Sequence, residues 1–325
     1  MKILVCGGAG YIGSHTVKSL LRDGHEVIIF DNFSSGKEEL VIGGEVIRGD
    51  LDDKEPIREV FRTRKIEAVL HFASLIQVGE SYLNPQRYYT HNLSTSLNLF
   101  EAMLEADVKK IIFSSSAAVY GAPQEIPITE SHPLNPINPY GHTKLFVERI
   151  LQDYEKAYGM RFISLRYFNA AGADPDAELG ELHDPETHLI PNILQFLLGK
   201  RDSFQVYGTD FPTPDGTAIR DYIHVTDLAD AHVLALRKLL TSGESDAINL
   251  GASRGFSVLE VVKKVEEMTG LRVPFRAKPK RLGDVPVLLA SKEKAEQRLG
   301  WRLRYSGLET IVETAWRWHN KVAKD

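Results

Sequence analysis

Tyr140 and Lys144 are spaced so that a phenol can act as a base. In a helix, side chains four residues apart stand one turn apart on the same face, and no other tyrosine of the chain has a lysine four residues on. A free phenol ionises near pH 10, so a base working at neutral pH needs a depression of roughly three units, or about 4 kcal/mol of preference for the phenolate. A neighbouring cation can supply it. Upstream, an apolar run closes on Ser114-Ser115-Ser116. A serine there can hydrogen-bond the same substrate oxygen that the phenolate deprotonates.

The opening segment gives this pair something to work with. Gly7-Gly8-Ala9-Gly10-Tyr11-Ile12-Gly13 follows a short apolar run and leads into a helical pattern. Glycines let a backbone approach a pyrophosphate, which then sits on the amides at the helix N-terminus. Asp31 ends the next apolar run, where a carboxylate can accept from both ribose hydroxyls of NAD and repels the extra phosphate of NADP. NAD is therefore the expected cofactor, held by Gly7, Gly10, Tyr11, Ile12, Gly13 and Asp31. Asp50-Leu51 and Phe72-Ala73 follow further apolar runs. Each pair reads equally as a cofactor contact at a strand end or as an ordinary turn or packed strand end. Next to such a loop, Lys144 can hold a nicotinamide ribose and lower the pKa of Tyr140. Ser116, Tyr140 and Lys144 are then the catalytic candidates of a site that oxidises a hydroxyl.

These residues need a scaffold. Ile3–Val5, Val27–Phe30, Ala68–His71, Ile111–Ser114 and Phe162–Leu165 read as buried strands. Segments near 12–22, 56–64, 95–106 and 140–157 read as helices. Alternation of this kind predicts an α/β chain with a doubly wound parallel sheet. Past Arg166 the pattern loosens, with helices near 188–199, 226–240 and 257–269, and Ala247–Leu250 could return to the sheet. The expectation is a second, smaller, interleaved α/β domain that takes the substrate. It assigns 1–168 plus 219–251 to the nucleotide domain and 169–218 plus 252–325 to the substrate domain.

Composition excludes several classes. The 325 residues are 43% hydrophobic and 26% charged, with a net charge of -5. A surface for nucleic acid or anionic membrane is not expected. Cys6 is the single cysteine, so no intrachain disulfide is available, which fits a reducing cytoplasm. The opening apolar run meets Gly7-Gly8 too early for a signal peptide, and no stretch approaches the ~18 apolar residues of a membrane span. His183 and His188 raise the question of a metal, but no third ligand reads as spaced for one, so no metal site is expected.

Several segments together resemble the extended short-chain dehydrogenase/reductases over essentially the whole chain. They are VCGGAGYIGSHT, IIFDN, HFASLIQVGES, FSSSAAVYG, PYGHTK, LRYFNAAGA, ETHLIP, DGTAIRDYIHVTDLA and RLGDVP at 281–286. The resemblance implies catalysis by Ser116, Tyr140 and Lys144. It implies an NAD site that also includes Asn32, Asp50, Leu51, Phe72, Ala73, Asn92, Ser114 and Tyr167. For a UDP-sugar it implies Ser116, Asn169, His188, Leu189, Gln205, Tyr207, Arg220, Arg281, Asp284 and Leu288. Guanidinium forks match phosphate oxygens, and His188 stands where some relatives carry Asn. The implied activity is exchange of UDP-glucose and UDP-galactose through a 4-keto sugar, with NAD kept throughout. Epimerisation of another UDP-sugar is the alternative, since Leu288 falls where a tyrosine would exclude an N-acetyl group. A dehydratase would place an acid and a base after the serine, whereas Ala117-Ala118 follow Ser116. A net dehydrogenase or reductase, or a non-catalytic NAD sensor, is a further rival. A homodimer is expected from the resemblance and from Leu145, Phe146, Ile150, Leu151 and Tyr154 at helical spacing.

Overall fold

The computed structural model describes residues 1–324. In its first half, strands and helices alternate: β1 (Lys2–Cys6), α1 (Tyr11–Arg22), β2 (Glu26–Asp31), β3 (Glu45–Arg48), α2 (Lys54–Thr63), β4 (Ala68–His71), α3 (Val78–Leu83), α4 (Pro85–Glu105), β5 (Lys110–Ser116), α5 (Pro139–Tyr158) and β6 (Arg161–Tyr167). The second half runs β7 (Asn169–Ala171), α6 (Leu189–Leu197), β8 (Phe204–Tyr207), β9 (Ile219–His224), α7 (Val225–Ser242), β10 (Asp246–Leu250), β11 (Gly255–Ser257), α8 (Val258–Thr269), β12 (Phe275–Lys278), β13 (Val287–Leu288), α9 (Glu293–Leu299) and α10 (Leu308–Val322).

Seven strands form one parallel sheet in the order β10-β6-β5-β4-β1-β2-β3. Successive side chains of a strand point to opposite faces, and this divides the core into two layers. Ile3 and Val5 join Leu20 of α1 and Leu236 of α7 on one face. Leu4 and Cys6 join Ile57 of α2, Leu99 of α4 and Leu151 of α5 on the other. Both faces are covered, so these strands read as unbroken apolar runs. The expected doubly wound α/β architecture is present, and Ala247–Leu250 does return to the sheet as β10.

A smaller sheet joins distant segments. In it β9 pairs in parallel with β7 and β13 and antiparallel with β11, while β8 and β12 form a separate parallel pair. A third core cluster, with Ile190, Ile193, Val261 and Ile311, lies under these elements. The strands of this smaller sheet are thus built from interleaved stretches of chain. Asp221 of β9, fully buried, accepts from the backbone N–H groups of Ala252, Ser253 and Ala290 at 2.6, 3.1 and 3.1 Å. Burial raises its carboxyl to about 6, and these bonds tie β9 to the loops leading out of β10 and β13.

Two local features place the Tyr-Lys helix. Asn138 caps α5 by accepting from Gly141 N at 2.7 Å, Pro139 occupies its first turn, and Gly159 ends it in a left-handed conformation. A buried polar network then fixes α5 to the sheet. Glu148 pairs with Arg166 of β6 at 2.6 Å and accepts from the Ser115 hydroxyl at 2.5 Å. Arg166 donates to Tyr120 Oη at 2.9 Å, and that hydroxyl donates to Asn249 of β10 at 2.6 Å.

Candidate active site

The carboxyl ends of β1, β4, β5 and β6 gather Gly7, Phe72, Ser114 and Tyr167 at one edge of the sheet, the place where doubly wound folds bind ligands. Gly7 lies at φ +81, and a Cβ there would stand 2.6 Å from Ala73 N. At Gly13 a Cβ would stand 2.1 Å from Gly7 O, so the helix closes on the loop only with glycine at that position. Gly10 is different: the nearest atom to a Cβ built there is Gly7 O at 3.4 Å, and bare backbone borders open space over the start of α1. That start has neither a side-chain cap nor an acidic residue in its first turn. Amides left free at a helix start make an anion cradle. The loop therefore fits a pyrophosphate. The buried Tyr11 hydroxyl donates to Gly172 O at 2.6 Å, so the expected cofactor contact of this residue falls to its backbone. Ile12 packs on the α1 side of the core.

Asp31 ends β2 with its carboxylate accepting from Ala9 N and Phe33 N, both at 2.9 Å. A carboxylate has capacity for further donors, and burial pushes its pKa up against those two bonds. Asn32 donates to Asp50 at 2.8 Å, which holds the third strand's exit beside Asp31, and Leu51 is buried in the core. Phe72 packs against His232 of α7 with the rings tilted and their centroids 4.8 Å apart. Asn92 of α4 accepts from Leu75 N at 2.8 Å and donates to Leu75 O and to Thr143 Oγ1, each at 3.1 Å. It locks the loop after Ala73 to the Tyr-Lys helix.

Ser114, Ser116, Tyr140, Lys144 and Tyr167 come together where β5, β6 and α5 meet. Lys144 is 3% exposed, donates to Ser114 O at 2.8 Å, and lies 5.7 Å from the centre of the Tyr140 ring. Ser114 Oγ and Tyr167 Oη are hydrogen-bonded to each other. Ser116 accepts from Ala118 N at 3.2 Å. Burial lowers the Lys144 ammonium to about 7. Burial raises the Tyr140 phenol, with the Ser116 hydroxyl acting in the opposite direction. In the protein alone, then, loss of water outweighs the cation expected to acidify the phenol. Both groups are desolvated, and among the described residues Lys144 has no carboxylate partner.

The residues assigned to the UDP-sugar form a second group. Asn169, the first residue of β7, pairs with Tyr222 of β9, and Leu288 of β13 pairs with Arg220. Leu288 packs, partly buried, on the cluster of Ala117, Tyr120, Leu145 and Phe168 that backs Ser116 and Asn169. Asp284 bridges two guanidinium groups, Arg281 at 3.0 Å and Arg220 at 3.6 Å. Burial lowers the pKa of Arg220 against the attraction of Asp284. Arg281 also lies over the Tyr207 ring at 5.5 Å, and Tyr207 donates to Gln205 at 2.8 Å. His188 precedes α6 at the N-cap position, and Leu189 begins that helix.

Sequence reasoning missed several residues. Thr143, Glu148, Arg166, Tyr120 and Asn249 hold the site together from positions whose partners lie far off in sequence. The reading that no third ligand is spaced for His183 and His188 is corrected: Glu181 and Glu186 stand with both histidines, with one candidate ligand atom from each of the four mutually within 4.8 Å. The pattern Glu-x-His-x-x-Glu-x-His was visible and went unread. The expected dimer stripe is largely core, since Leu145 and Leu151 are buried and Ile150 and Tyr154 pack on the core, leaving Phe146 37% exposed. None of the helices among the described residues is long and apolar enough to cross a membrane.

Comparison with known proteins agrees with this geometry. The UDP-glucose 4-epimerase of Halalkalibacterium halodurans is 49% identical over 321 residues, covering 99% of this chain and 96% of that one. A structure of UDP-glucose 4-epimerase from Brucella ovis in complex with NAD is 47% identical, covers 98% of each chain and superposes with a TM-score of 0.95. Another, from Bifidobacterium longum in complex with NAD+ and UDP, is 40% identical, covers 99% of this chain and 98% of that one, and also has a TM-score of 0.95. A family model matches residues 3–251. With its glycine loop, parallel sheet and Tyr-Lys helix, the chain belongs to the NAD dependent epimerase/dehydratase family.

Proposed function

We propose that the chain interconverts UDP-glucose and UDP-galactose with NAD bound through the whole cycle. The observation that carries this reading is the meeting of Ser116, Tyr140 and Lys144 with the glycine loop at one sheet edge. NAD would be held by the Gly7–Gly13 loop, Asp31, Asn32, Asp50, Leu51, Phe72, Ala73, Asn92, Ser114, Tyr167 and Lys144. When bound, NAD supplies an acceptor and later a donor for the hydrogen on sugar C4, together with a positive charge near the phenol.

The remaining chemistry belongs to the chain. Tyr140 Oη takes the proton of the sugar 4-hydroxyl and gives it back, and the Ser116 hydroxyl bonds the same oxygen in both directions. Lys144, anchored on Ser114 O, orients the nucleotide ribose and biases Tyr140 toward the phenolate once counter-charges are present. The 4-ketone must present its other face before the hydrogen returns. A firm hold on the diphosphate with a loose one on the hexose permits that turn. Arg220 and Arg281, both tethered to Asp284, supply the hold with Asn169, His188, Leu189, Gln205 and Tyr207. Ala117 and Ala118 after Ser116 leave no carboxylate there for elimination.

Residues 1–168 plus 219–251 would form the NAD-binding part and 169–218 plus 252–325 the sugar-binding part, with β9 at the seam between them. A cytoplasmic homodimer completes the proposal. Leu97 of α4 and Phe146 and Tyr158 of α5 are 39%, 37% and 51% exposed, and they offer the apolar surface for a second copy. The test is to incubate purified protein with UDP-glucose and no added NAD. Wild type should form the 4-epimer, and Tyr140→Phe should keep its NAD yet turn over about 10²–10⁴-fold more slowly. Near wild-type rates in the variant would remove Tyr140 as the base.

A further inference from the structure

We propose that Glu181, His183, Glu186 and His188 bind one divalent cation of the zinc class, which clips the loop ahead of α6. The four come from eight consecutive residues, and one candidate ligand atom from each lies within 4.8 Å of the others. Two imidazoles and two carboxylates are the donors that zinc and its neighbours take in protein sites.

The burial of the two carboxylates points to a cation. The side chains of Glu181 and Glu186 are 4% and 1% exposed. Two buried carboxylates repel each other and lose their water, a state that persists only with compensating positive charge. Among the described residues neither pairs with a lysine or arginine; Glu181 meets His183 Nδ1 at 2.8 Å and His188 Nδ1 at 2.5 Å, and Glu186 meets His188 Nδ1 at 3.2 Å. Glu186 Oε1 accepts from Thr187 N and His188 N at 2.7 and 2.8 Å, which fixes the carboxylate plane. Its other oxygen, Oε2, is buried without any hydrogen-bond partner among the described residues. A buried carboxylate oxygen without a donor is costly, and a metal ion is the ligand it lacks.

The spacing also fits. Bonds of ~2.0–2.2 Å in a tetrahedral site put ligand atoms about 3.3–3.5 Å apart. Binding therefore requires His188 Nδ1 and Glu181 Oε1, now 2.5 Å apart, to open by about 1 Å. The surroundings are already set: Trp318 of α10 donates to Glu181 O at 3.2 Å, Arg201 donates to Glu186 O at 2.9 Å, and Tyr11 of the glycine loop packs edge-on to His183 with centroids 6.2 Å apart. An ion here would fix the loop that enters α6 beside Tyr11 at the start of α1.

The test is metal content and uptake by the full chain with any affinity tag removed. After EDTA treatment and dialysis, titration with zinc chloride at pH 7.5 should show about one equivalent per chain. Cobalt(II) should give the intense visible bands of a four-coordinate site. Glu186→Gln and His183→Ala, confirmed as folded by circular dichroism and NAD content, should each bind zinc about 10-fold or more weakly. Should one of them fail to fold, the other and the cobalt spectrum of wild type still decide. Absence of uptake of zinc and cobalt by wild type would overturn the proposal and leave the cluster as histidine-carboxylate ion pairs. Unchanged affinity in a folded variant would overturn it too, by placing the ion elsewhere. Neither readout depends on the epimerisation reading.

Discussion

Replacing Lys144 with methionine removes a cation that the fold holds at a cost, and the size of that cost depends on pH. The ammonium is 3% exposed, with burial taking it from 10.5 to about 7. That fall corresponds to about 5 kcal/mol against burying the charged form. The linkage follows from the depressed pKa. Below pH 7 the lysine is charged in both folded and unfolded chains, and the full cost applies. Between pH 7 and 10.5 the folded chain sheds the proton while the unfolded chain keeps it, so wild-type stability rises by about 1.4 kcal/mol per pH unit. Methionine fills similar volume without charge but loses the 2.8 Å bond to Ser114 O, worth about 1–2 kcal/mol. In cofactor-free protein, Lys144→Met should therefore be more stable than wild type by about 3 kcal/mol at pH 6. The advantage should vanish and reverse by about pH 10. Urea unfolding of both proteins at intervals from pH 6 to 10 measures the difference. A stability difference that stays flat over that range would refute the account of a desolvated, readily neutralised Lys144.

Other outcomes follow from the same structure. Glu148→Gln leaves Arg166 buried without its carboxylate and should cost about 3–5 kcal/mol by urea unfolding, with a proportionate loss of activity as α5 shifts from β5. Asp31 should make NAD bind far more tightly than NADP to cofactor-free protein by calorimetry, because a buried carboxylate faces the added phosphate; equal affinities would contradict this. Leu288→Tyr should lower kcat/KM for UDP-N-acetylglucosamine relative to UDP-glucose, because the side chain packs on a cluster that cannot give way cheaply, and an unchanged ratio would remove Leu288 from the sugar pocket. Light scattering at micromolar concentration should return the mass of a dimer, and a monomer would refute the role given to Phe146 and its neighbours.

What could be read from sequence was set by local pattern. The five buried strands and the helices beside them were legible because each strand is covered on both faces and has no polar alternation to confuse it. Tyr140 and Lys144 were legible because one helical turn fixes their relation. The first half of α4, from Pro85, was not, because Asn92 and Thr95 are buried polar residues bonded inside the structure. Strand β9 carries Arg220 and the buried Asp221, whose partners lie 31 to 69 residues away, so no local pattern marks it. The two-residue β13 exists only because β9 receives it. The Glu181–His188 cluster was hidden differently: its ligands are close in sequence, but nothing local marks the two carboxylates as buried, and the reading of His183 and His188 did not weigh them.

The most direct test of the central claim follows one hydrogen atom. UDP-glucose carrying deuterium at sugar C4 is incubated in ordinary water with purified protein and no added NAD, and the UDP-galactose formed is examined by mass spectrometry and NMR. If one site removes the C4 hydrogen, turns the ketone and returns the same atom, the product keeps essentially all of its deuterium at C4. Loss of the label to solvent, or a requirement for added NAD in stoichiometric amounts, would contradict the account.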